Sequence, residues 1–122
     1  MCMKVLSLLA AVGICMYAHA EKNVKNIKLD NETVATVYIS PRGTVLSFPT
    51  KPEKVILGEK NSFGIEYVEN DLAISPYRSN SRSNLFVYMQ KRRFVFDLVT
   101  SLNNSYSLVI VTDSDQQKVR VR

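Results

Sequence analysis

Nucleophilic and metal-ligating side chains are confined to one end of this sequence. Cys2, Cys15 and His19 are its only cysteines and histidine, and all three fall within "MCMKVLSLLAAVGICMYAHA". That stretch has a lysine at Lys4, an apolar run from Val5 to Tyr17, and small residues at Ala18 and Ala20. The pattern is a charged n-region, an h-region and an A-x-A cleavage site, so residues 1–20 are expected to be a signal peptide cut after Ala20. The apolar run is shorter than the ~20 residues a spanning helix needs. Lipidation at Cys15 would want a small residue before it, and the bulky Ile14 stands there instead. With the signal removed, residues 21–122 contain no Cys, His or Trp. They cannot form a disulfide, although an exported chain's compartment would permit one. They also lack a His or Cys zinc ligand, a Cys nucleophile and a His general base. No catalytic residue, cofactor or metal is therefore expected.

The remaining chemistry belongs to carboxylates and arginines. Asp97, between Phe96 and Leu98, and Glu66 both alternate outward in strand-like runs, where carboxylates are usually just solvated. No Ser-His or Lys-Ser arrangement supports them as an acid–base pair. Arg78, Arg82, Arg92 and Arg93 would cluster if the 77–84 loop lay near a turn at 90–93, bringing Tyr77 and Tyr88 with them. Arginine with aromatics on a small β-domain also suits single-stranded nucleic acid. An exported protein rarely meets it, however, so nucleic acid is not expected as a partner. The formal net charge of +5 falls by one with Lys4; this favours solubility and acidic neighbours without naming one. The terminal "KVRVR" alternates Lys118, Arg120 and Arg122 with Val119 and Val121, as a protected sheet edge does. An acceptor edge for a partner strand is the alternative. Arg78, Arg82, Arg92, Arg93, Lys118, Arg120 and Arg122 are thus the candidate partner contacts.

These side chains must be positioned by strands. "TVATVYIS" sets Val34, Thr36 and Tyr38 against Ala35, Val37 and Ile39. "TVLSFP" sets Leu46 and Phe48 against Val45 and Ser47. "FGIEYVENDLAISP" reads as a hairpin turning at Asn70-Asp71, both of which tolerate the left-handed backbone. "RRFVFDLVTS" points Phe94, Phe96 and Leu98 inward and Arg93, Val95 and Asp97 outward. "YSLVIVTD" is more continuously apolar, as an interior strand should be. No long segment has a helical period. Residues 21–122 are expected to form one all-β domain, a small antiparallel β-sandwich or partly open barrel of nine to ten short strands, with no transmembrane segment.

The order of these motifs resembles the N-terminal domain of the TrbG and CagX family, periplasmic subunits in type IV secretion core complexes. The matching residues are Gly43, Thr44, Leu46, Phe48 and Pro49, then Gly58, Leu72, Ile74 and Pro76. Ser83, Asn84, Leu85 and Val87 come next, and Phe94, Phe96, Asp97 and Leu98 last. The match covers about two-thirds of residues 21–122, and all of it is scaffold. The resemblance implies a non-enzymatic structural subunit, held at the outer membrane through an outer-membrane lipoprotein and an inner-membrane channel protein, with a homo-oligomeric ring among its assemblies. A stand-alone periplasmic binding or inhibitor module is the alternative.

Overall fold

The computed structural model describes residues 23–30 and 32–114. The signal segment with Ala18 and Ala20, and the "KVRVR" strand with Lys118, Arg120 and Arg122, lie outside them. Among the described residues nine strands run in chain order: β1 (Val24–Leu29), β2 (Val34–Ile39), β3 (Thr44–Ser47), β4 (Lys54–Leu57), β5 (Phe63–Val68), β6 (Asp71–Pro76), β7 (Arg82–Met89), β8 (Arg92–Thr100) and β9 (Leu108–Asp113). They form a five-stranded sheet, β1-β9-β3-β6-β5, and a four-stranded sheet, β2-β8-β7-β4. The two pack as an open sandwich, not a closed barrel.

Period-two alternation decides which side chains enter the space between the sheets. Val37 and Ile39 of β2, Leu46 of β3, Leu85 and Val87 of β7, and Phe94, Phe96 and Leu98 of β8 are all buried. Phe48 meets Phe96 edge-on, with ring centroids 5.9 Å apart. β9 is paired on both sides, by β1 and by β3, and its Val109 and Val111 are buried; it is the interior strand its composition implies.

The sheets are mixed rather than antiparallel, which corrects the expected pairing. β1 and β3 both run parallel to β9, and β2 runs parallel to β8. Only β5–β6 and β7–β8 are hairpins within one sheet; every other connection passes from one sheet to the other. Where the chain changes sheet it is not bound to the antiparallel pairing that a tight hairpin imposes.

Gly43, just before β3, has φ +106°, and its N–H closes the Pro41-Arg42 turn onto the carbonyl of Ser40 at 2.8 Å. Only glycine takes that backbone without strain. The β5–β6 turn sits one residue earlier than expected. Val68 pairs with Asp71, so Glu69 and Asn70 form the loop, and Glu69 takes the positive φ of 53°. Met89 pairs with Arg92 across the β7–β8 turn. Its loop residues Gln90 and Lys91 both have positive φ, 47° and 59°, the signature of a type I′ turn in which glycine is favoured second. Lys91→Gly is therefore expected to raise stability by about 0.5–1 kcal/mol. A lower denaturation midpoint for that variant would contradict this turn geometry.

Candidate assembly surface

The structure separates the arginines that sequence spacing brought together. Arg78 and Arg82 lie at one end of β7, Arg92 and Arg93 at the other. Arg82 pairs with Val99 and Met89 with Arg92, so the two groups stand roughly 20 Å apart at ~3.4 Å per residue. Tyr77 and Tyr88 are divided the same way. Glu66 and Asp97 are also apart, on the outward faces of different sheets.

Arg92 is engaged within the chain. It lies in β8 rather than at a hairpin tip, and its guanidinium reaches across the sandwich to Asp113 at the end of β9. Its Nε donates to Oδ2 at 3.0 Å and its terminal amine to Oδ1 at 2.9 Å. The two side chains are only 19% and 3% exposed. The guanidinium also lies over the Phe94 ring, 5.8 Å from its centroid. This forked, charge-assisted pair ties one sheet to the other. Asp113 escaped the sequence reading, although a signal was present: it continues the inward face of Val109 and Val111, where an acid needs a cation.

Arg78 belongs to a rigid loop. Its N–H donates to Ser81 Oγ, and its carbonyl accepts from the Ser81 N–H. The Ser81 carbonyl accepts from both the N–H and the hydroxyl of Thr100, and the Tyr77 N–H donates to Ser62. The loop is thereby stitched to both sheets. With Glu59, Asn61 and Asn80, Arg78 and Arg82 line a polar cleft of about 340 Å³. Arg82 also lies 3.7 Å from Asp97, with side chains 67% and 34% exposed. Such an ion pair adds little to stability.

The outward face of β2-β8-β7-β4 has a chemical order that only the cross-strand register reveals. Val34 is level with Val95, Val95 with Phe86, and Phe86 with Ile56. An apolar row thus crosses all four strands without interruption. Val34 is 63% exposed and Ile56 38%, while Val95 and Phe86 are half-buried by their neighbours. Arg93, Tyr88 and Lys54 form the next row on one side. On the other side lie Thr36, Asp97 and Asn84, with Gly58 joining through its N–H to the Asn84 carbonyl. Arg93 and Arg82 therefore remain as surface cations on this face. The opposite outward face also carries a four-strand apolar row, but one that does not cross its whole sheet. Its row Val24–Leu108–Val45–Ala73 ends on Glu66, and Asn26, Ser47, Asp71 interrupt the next.

No family model matches this chain, and no curated protein matches it. The residues and their arrangement carry the functional reading. Of the row, Val95 was read as outward from the alternation of its own strand. The alignment of the row was not legible, because it depends on pairing β2 with β8 from distant parts of the chain.

Proposed function

We propose that this chain is a non-enzymatic periplasmic structural subunit of a type IV secretion or conjugation core complex. It acts by protein–protein assembly and is held at the outer membrane by its partners. The observation that carries the reading is the uninterrupted apolar row Val34–Val95–Phe86–Ile56, flanked by charged and polar rows. An apolar centre inside a polar rim is how protein interfaces are built, and exposed apolar patches on soluble domains mark contact sites. The ordered scaffold motifs that resemble the TrbG and CagX family supply the biological setting.

The test is purification of the tagged protein from detergent-extracted envelopes of cells that express the neighbouring genes. Co-elution with an outer-membrane lipoprotein and an inner-membrane channel subunit is the expected result. A monomer free of companions would contradict the reading. The cleft bounded by Glu59, Arg78 and Arg82 favours the second reading, a stand-alone periplasmic module that binds one polar ligand. That reading gains if the companion-free protein retains a small molecule displaced by Arg78→Ala.

A further inference from the structure

We propose that the outward face of β2-β8-β7-β4 receives a second copy of this chain, packed sheet to sheet about a two-fold axis along the row Val34–Val95–Phe86–Ile56. The inference rests on reading this face as an assembly surface and names its occupant.

An isologous interface must be complementary to itself under the two-fold. An axis along the apolar row keeps each strand position and reverses the strand direction. The row then lies on its own copy, apolar against apolar. The row on one side meets the row on the other at equivalent strands. On β8, Arg93 falls over Asp97 of the second copy. On β7, the Tyr88 hydroxyl falls over the Asn84 amide, a donor facing an acceptor. On β4, Lys54 falls at Gly58, beside Glu59, whose N–H is fixed to Ser83 Oγ at 2.8 Å. All three positions are complementary together. An axis along the strands through the middle of the face would exchange β8 with β7, setting Arg93 over Tyr88 and Asp97 over Asn84, so the Arg93–Asp97 match belongs to the axis along the row.

The size is adequate. Four strands at ~4.8 Å spacing and β7 and β8 at ~3.4 Å per residue give a flat face on the order of 500 Å². Counting side-chain relief, this approaches the roughly 800 Å² per partner of a stable interface.

The test is sedimentation equilibrium of the full chain, expressed with its own N-terminal segment, over a concentration series. Circular dichroism confirms that each variant is folded. The wild type is expected to dimerise, and Ile56→Glu and Phe86→Glu to be monomeric at the same concentrations. Lys54→Glu and Glu59→Lys are each expected to weaken the dimer by roughly tenfold. The double variant Lys54→Glu/Glu59→Lys restores it, because only this two-fold places those residues opposite each other. A wild type monomeric throughout would overturn the proposal, as would a dimer that Ile56→Glu leaves intact or that the charge swap fails to rescue. These outcomes are separable from the secretion reading. A monomer that still co-purifies with envelope subunits overturns the two-fold alone. A swap-rescued dimer without such companions supports the two-fold and removes the secretion setting.

Discussion

Replacing Phe96 by Ala is expected to lower the unfolding free energy by about 3–5 kcal/mol, the usual loss for a large aromatic in a closed core. Phe96 has no exposed surface, pairs laterally with Leu85 and Ala35, and meets the edge of the Phe48 ring. Both sheets contribute to the cavity its loss would leave, so neither can close it alone. Against a total of roughly 5–15 kcal/mol for a domain, the variant is expected to be partly unfolded at growth temperature. Thermal denaturation checks this, with roughly 4–8 °C lost per kcal/mol for a domain of this size. Val95→Ala, one residue away on the outward face, is expected to cost far less. Equal losses at 95 and 96 would mean that the inward face of β8 is misassigned.

Arg92→Ala is expected to cost about 3–5 kcal/mol, as breaking a buried ion pair from one side does. The Asp113 carboxylate, 3% exposed, would lose both guanidinium hydrogen bonds that offset its desolvation. The cost should arise from stranding that charge rather than from losing attraction. An apolar replacement of both partners, Arg92→Met with Asp113→Leu, is therefore expected to recover most of the loss. Urea denaturation of the two variants separates these terms. A loss under 1 kcal/mol for Arg92→Ala would show that the pair does not join the sheets.

The contrast between Arg92 and Phe96 shows what the sequence made legible. The inward face of β8, and the division of β2 and β3 into two alternating sets, followed from alternation alone, since that pattern is local to each strand. Nine to ten strands, the interior place of β9, and a sandwich or partly open barrel were legible with them. What escaped was non-local. Lys91-Arg92-Arg93 reads as a charged tip until β9 brings Asp113 alongside. The turn at Glu69-Asn70 escaped for a different reason: Asn70 and Asp71 have the better turn propensity, yet the Val68–Asp71 register puts Glu69 in the left-handed position. Parallel pairing of β1 and β3 with β9, and of β2 with β8, joins strands far apart in sequence. No local residue pattern reports it. The candidate surface shares that origin. Arg82 and Arg93 reached it from the sequence, but the row they flank exists only once four strands are set in register.

On this reading, the outward face of β2-β8-β7-β4 joins this protein to its neighbours in the envelope. Photo-crosslinking in living cells tests it most directly, with the reactive side chain placed at Ile56 and, as a control, at Ser75 on the opposite outward face. Discrete higher-mass adducts are expected from position 56, containing a second copy of the chain or an envelope subunit, and none from position 75. Adducts from position 75 with none from position 56 would contradict it.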